Sequence, residues 1–317
     1  MQFYYGFESN YADITSIVYS KCIQDGIVYI PADDNVRAKL FGDPFYGILK
    51  HIKTVDSSGN IKIYSSSEAI QSETEVHTLY KTFNRDERRI WWETYGKKIE
   101  DINTRLIELQ KTLRLNHGDF IEEFPEQLMI MRYLESTDKV LEIGANIGRS
   151  GCIIASILDD DRNFLTLECN KDFYQKVCEN RNLNGMNFHI EPSALSKQNI
   201  IQRGIFTYVS NNVPEGYVKV DTITWNELRE KYPINFNVLV ADCEGALYHI
   251  LKDEPDFLNI FDKVITENDY RRIEEYQFVK DKLFDNHFEN VFTQSGGWGC
   301  CYSTFYQVWI KKHIHNT

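Results

Sequence analysis

The chain lacks the features that would place it in several large protein classes. Its seven cysteines, at 22, 152, 169, 178, 243, 300 and 301, include no C-x-x-C pair, which removes the usual ligand spacing of a zinc site. An odd number at irregular intervals also argues against a disulfide framework, and the adjacent Cys300 and Cys301 are expected as free thiols. No apolar run approaches the roughly 18 residues of a transmembrane helix. The opening MQFYYGFESNYADI has no basic stretch followed by a long apolar one, as a secretory leader would. A reduced, cytoplasmic setting without a membrane span is expected. Positive charge is scarce too: 35 Lys and Arg against 47 Asp and Glu leave a net charge of −12. That balance opposes binding to a polyphosphate, so nucleic acid is not expected as a partner.

What is present suits a globular enzyme of more than one part. A length of 317 residues with 42% apolar content is enough for a domain of about 200 residues and a smaller one. Residues 1–75 are rich in Tyr, Ile, Val and Thr between turn clusters ADDN, GDP and DSSGN, which predicts a small β-rich domain with IKIY, 61–64, as a hairpin return strand. Residues 76–116 read as a helical connector. Within it Trp92, Tyr95, Ile99, Ile102, Leu106, Leu109 and Leu113 repeat at spacings 3, 4, 3, 4, 3, 4, the period of a coiled-coil seam. The stripe is therefore expected to pack either on the domain that follows or, the favoured reading, on the same helix of a second chain as a homodimer through the 92–113 helix. Residues 117–317 then open with a helix carrying Pro125 in its first turn.

The most informative segment is KVLEIGANIGRSG, 139–151. Val140, Leu141 and Ile143 suit a buried parallel strand, Glu142 stands near its end, and Gly144 and Gly148 allow a tight turn into the helix begun by CIIASIL. Asn146 stands where a dinucleotide fingerprint would have its middle glycine. A second apolar run, NFLTLECN, ends in Glu168, 26 positions after Glu142. That is the separation at which a βαβ unit presents an acid to a ribose diol. Further strands end at NFHIEPSALS, NVLVADCEGALYHIL and KVITENDY, the last two presenting Asp242, Glu267 and Asp269.

The Glu142 to Gly148 segment resembles motif I of class I S-adenosylmethionine-dependent methyltransferases, and GANIG with DCEG resembles the FkbM family. The resemblance implies an α/β, Rossmann-like doubly wound methyltransferase sheet whose S-adenosylmethionine contacts Glu142, Gly144, Asn146, Gly148 and Glu168. It carries over Ser193 and Ala194 as neighbours of the adenine, and Glu126 and Gln127 to the amino acid end. It also implies an O-methyltransferase acting on a sugar or glycan precursor. A polyketide-type or other small-molecule acceptor, or an inactive cofactor-binding assembly module, are the rivals. Two positions depart from the family pattern, which has Lys where Val240 stands and Glu where Leu247 stands.

Methyl transfer to a hydroxyl needs alignment of the reacting atoms and removal of one proton. Carboxylates at the C-terminal edge of a parallel sheet point into the ligand crevice. Asp242 is therefore the first catalytic candidate, with Glu267 and Asp269 as bases or as partners of Asp242 around a Mg²⁺, a hard cation that prefers oxygen. His249 is expected on a helix surface. Trp298, among Gly296, Gly297 and Gly299, is expected as a sugar-stacking platform.

Overall fold

The structure, a computed structural model, describes residues 2–24, 27–45, 47–56, 59–73, 84–297 and 299–312. The chain divides into two compact units, Met1–Thr82 and Phe83–Thr317. The first is β-rich: an antiparallel sheet runs in the order Asn10–Asp13, Gln2–Phe7, His51–Val55, Ile61–Tyr64. IKIY returns along 51–55 with Ile61 opposite Val55. Alternation along Gln2–Phe7 sends Phe3 and Tyr5 inward, onto Ile14, Val18, Ile30 and Ile52.

The second unit is built on a seven-stranded sheet. Its strands are β1 (Val140–Ile143), β2 (Phe164–Leu167), β3 (His189–Glu191), β4 (Val238–Ala241), β5 (Lys263–Glu267), β6 (Phe288–Gln294) and β7 (Tyr306–Lys311). The order is β3-β2-β1-β4-β5-β7-β6, parallel through β5, with β7 inserted antiparallel to both neighbours. VLEI, FLTL and VLVA are buried at every position, as strands covered on both faces must be. Alternate residues serve two separate cores. Val140, Phe164, Val240 and Ile265 face the layer containing α1 (Phe124–Tyr133) and α2 (Arg149–Ile157). Leu141, Leu165, Leu239 and Val264 face the layer containing α3 (Ala246–Asp253) and α4 (Ile273–Asp285). Among the described residues no helix is long and apolar enough to cross a membrane.

The expected 76–116 connector is helical where the structure describes it, but not as a single helix. Of that segment residues 76–83 lie outside the described residues, and the rest is two short helices, Arg85–Thr94 and Ile102–Gln110, separated by a 3₁₀ turn at Gly96–Lys98. Local chemistry accounts for the break. Asn84 and Glu87 form a capping box at the first helix, and Asp101 caps the second through Thr104 N at 2.8 Å. Gly96 packs so tightly that an added Cβ would stand 2.7 Å from the rings of Trp91 and Trp92. Trp92, Leu106, Leu109 and Leu113 are buried in the core that also contains α1 and α2, whereas Tyr95 of the same stripe is 70% exposed. Most of the stripe thus has the first of its two expected coverings, its own sheet domain.

Candidate active site

The site assembles at the C-terminal edge of the sheet. After β1 the chain turns through three residues with positive φ: Gly144 at 101°, Asn146 at 50° and Gly148 at 86°. A Cβ on Gly144 would lie 1.6 Å from the carbonyl oxygen of Asp242, so the glycine is required by the crossing ends of β1 and β4. The amides of Gly144 and Ala145 donate to Leu167 O at 3.1 and 3.0 Å, tying the turn to the end of β2. A Cβ on Gly148 would meet Val177 Cγ2 at 2.6 Å.

Glu168 follows directly on β2. Its Oε2 accepts from Asn146 N and its Oε1 from Asn170 N, each at 2.8 Å. Each oxygen keeps acceptor capacity on its second lone pair, and the side chain lines a cleft of about 230 Å³. Burial pushes its pKa up to about 7, against the pull of those two N–H groups. Beyond β3, Ser193 and Ala194 line the same cleft. The Ser193 hydroxyl donates to Glu191 at 2.8 Å, and Glu191 is ion-paired with Lys231 at 2.8 Å.

Acidic groups crowd the other end. Asp242, just past β4, and Glu267, the last residue of β5, line the cleft together with Glu123 and Glu244. Burial first, and then the neighbouring carboxylates, push Glu267 up to about 8 and hold Asp242 and Glu126 well above the usual carboxylate range. Arg149 donates to Glu123 Oε1 at 2.9 Å and also pairs with Glu122. Tyr306, paired with Glu267 across β5 and β7, has its hydroxyl pKa raised by burial and then by Glu267 and Glu126.

Of the residues singled out from the sequence, Gly144, Asn146, Glu168, Ser193, Ala194, Asp242 and Glu267 converge on this cleft; Glu142, Gly148 and Asp269 are not part of its lining. Glu142 has the parity of Val140, so it points under α2, fully buried. Its oxygens lack hydrogen bonds, the Ser150 and Thr166 hydroxyls stop short of bonding geometry, and burial pushes it up to about 7. Asp269 turns back to accept from Gly245 N at 2.7 Å at the start of α3. That orientation corrects the expected metal set of Asp242, Glu267 and Asp269: the carboxylates that come together are Glu123, Glu126 and Asp242. Gln127 is also corrected, since its amide donates to the Phe120 and Glu122 carbonyls and pins the loop before α1. His249, expected on a helix surface, is exposed and lines the cleft. Trp298 lies outside the described residues.

Two contributors were not foreseen. Glu123 reaches the site because it takes a left-handed φ of 60° ahead of α1; the acid run IEEFPE was the available signal. The other is a three-stranded sheet of Ile200–Arg203, Phe206–Val209 and Val218–Val220, whose Gln202, Thr207 and Tyr208 form one cleft wall. Arg271 secures that wall, stacking on Phe206 at 4.6 Å and donating to Tyr208 Oη at 3.1 Å.

The strand order with its reversed β7, and a cleft at the ends of β1 and β4, whose following helices α2 and α3 lie on opposite faces of the sheet, decide the architecture. The chain has a Rossmann-like methyltransferase fold. No protein-family model and no curated protein matches it. Solved structures similar to it include an O-methyltransferase from Bacillus cereus in complex with S-adenosylhomocysteine, at 12% identity and TM-score 0.39, covering 74% of this chain and 100% of that one. Another is the precorrin-6y C5,15-methyltransferase of Geobacter metallireducens, at 13% identity and TM-score 0.37, covering 63% and 94%. A third is a protein of the NADB-Rossmann superfamily from Streptococcus agalactiae, at 13% identity and TM-score 0.37, covering 61% and 70%.

Proposed function

We propose that this methyltransferase-fold protein is an S-adenosylmethionine-dependent O-methyltransferase of FkbM type, acting on a hydroxyl of a sugar or glycan precursor. The observation that carries the reading is Glu168: a cleft-facing carboxylate at the tip of β2, held by two backbone N–H groups with acceptor capacity left on both oxygens. A ribose diol supplies the two donors that arrangement lacks. When bound, the cofactor supplies an electrophilic methyl group on a sulfonium. Asn146 and Gly144 let the backbone approach the nucleoside, and Ser193 and Ala194 border its base.

The acceptor end is formed by carboxylates from separate strands. Asp242 orients the acceptor, and Glu267, whose buried Oε2 has no hydrogen-bond partner, takes the hydroxyl proton. Several acids facing one cleft suit a polyol, whose hydroxyls each donate a hydrogen bond to a carboxylate. Val240 and Leu247, where the family pattern has Lys and Glu, are core residues here and take no part.

Calorimetric titration with S-adenosylhomocysteine tests the cofactor assignment. Binding in the micromolar range that weakens at least about tenfold in Glu168→Ala is expected, and no binding by the wild type would refute it. A screen of glycosides and sugar nucleotides against aglycones then tests the acceptor class through methyl incorporation; turnover confined to aglycones would overturn the sugar assignment.

A further inference from the structure

Beneath the acceptor end of the cleft the three carboxylates of Glu123, Glu126 and Asp242 converge, each offering an oxygen within 4.8 Å of the others. They come from different places: Glu123 from the left-handed residue before α1, Glu126 from the first turn of α1, and Asp242 from the end of β4. Glu126 is 2% exposed and its Oε2 has no hydrogen-bond partner. A buried carboxylate oxygen without a donor is costly unless a proton or a cation meets it. Arg149 is engaged by Glu122 and Glu123, and among the described residues no lysine or arginine is ion-paired with Glu126 or Asp242. Arg149 is also the cation near enough to lower the Glu126 pKa, and it is shared with two other acids; with all three carboxylates ionised the cluster would exceed that one positive charge, so protons hold it neutral until a cation replaces them.

We infer that Glu123, Glu126 and Asp242 bind a divalent metal ion at the base of the cleft. Three hard carboxylate oxygens suit Mn²⁺, Ca²⁺ or Mg²⁺. Glu123 and Asp242 also border the cleft, so water or an acceptor oxygen can complete the coordination. An ammonium group could meet the same oxygens. Glu126, however, is not part of the cleft lining and is 2% exposed, so its unpartnered oxygen favours a small ion that can settle at the cleft floor. The site shares Asp242 with the proposed acceptor end, and the two readings separate in the test because metal affinity is measured without acceptor or turnover.

Titrating MnCl₂ into the full chain, followed by electron paramagnetic resonance of free Mn²⁺, tests it. One Mn²⁺ per chain is expected, with affinity reduced at least about tenfold in Glu126→Gln and in Asp242→Asn and unchanged in the surface control Glu230→Gln. MgCl₂ and CaCl₂ should compete for the same ion, and MnCl₂ should raise the melting temperature of the wild type but not of Glu126→Gln. Equal Mn²⁺ affinity in wild type and Glu126→Gln would overturn the site. So would an absence of Mn²⁺ binding together with a tenfold loss of S-adenosylhomocysteine affinity in Glu126→Gln, which would assign the cation to the cofactor's ammonium.

Discussion

The environment of Glu168 makes the stability of the ligand-free protein depend on pH in a direction opposite to that of a salt-bridged acid. Its pKa rises from 4.5 to about 7 because the side chain is 8% exposed and has no cationic neighbour to offset burial. Between those values the unfolded chain has released the proton while the folded chain still holds it, so stability falls as pH rises. The contribution is fully present below about pH 4.5 and is lost by about pH 7. At about 1.4 kcal/mol per pH unit, the interval from pH 5 to 8 removes about 2–3 kcal/mol. Urea unfolding of wild type and Glu168→Gln at pH 5 and pH 8 isolates this amount. Glutamine cannot titrate, its fixed cost of facing an amide N–H cancels between the two pH values, and Glu267 and Asp269 titrate without influence from Glu168, which makes only a minor contribution to the raised pKa of Glu142. The wild type should lose about 2–3 kcal/mol more than the variant over the interval. Equal losses would mean that burial leaves Glu168 ionised, and the account of its environment would fail. The same proton governs ligand binding: a diol that donates to the carboxylate favours its ionised form, so S-adenosylhomocysteine should bind more tightly at pH 8 than at pH 6.

Gly144→Ala should destabilise the domain by at least about 3 kcal/mol, combining the positive φ with the approach to Asp242 O; an unchanged denaturation midpoint would show that the ends of β1 and β4 can separate without cost. Leu106→Ala should lower stability by about 2–5 kcal/mol, because Leu106 is fully buried in its own unit. If that variant instead kept its stability and halved its mass by light scattering, the stripe would be an interface after all. Glu267→Gln should retain S-adenosylhomocysteine affinity and lose at least about 100-fold in kcat, and wild-type turnover in that variant would remove Glu267 from the proton transfer.

Much of the cleft around Glu168 was legible because it depends on local features. A four-residue apolar strand, a turn that needs positive φ and an acid one βα unit later are all encoded by neighbours in sequence, and Gly144, Asn146 and Glu168 came together as their spacing predicted. The covering of the 92–113 stripe was not legible, because a 3.5-residue period states only that one face is buried, not what covers it. Here Gly96 and the Asp101 cap break the helix, and the sheet domain covers the face. Glu142 and Asp269 carry the residue type expected of a site, but strand parity turns the first under α2 and the start of α3 claims the second.

Composition, strand pattern and glycine spacing thus determined the α/β class, the β-rich first unit and the glycine-turn edge of the cleft, since each follows from periodicity and backbone sterics over short stretches of chain. Tertiary structure alone decided which carboxylates meet. Glu123 and Glu126 lie more than a hundred positions from Asp242, and nothing local relates them. They converge because α1 packs over the sheet with its first turn near the end of β4, and burial there, then the neighbouring carboxylates, raise the pKa values of Glu126 and Asp242.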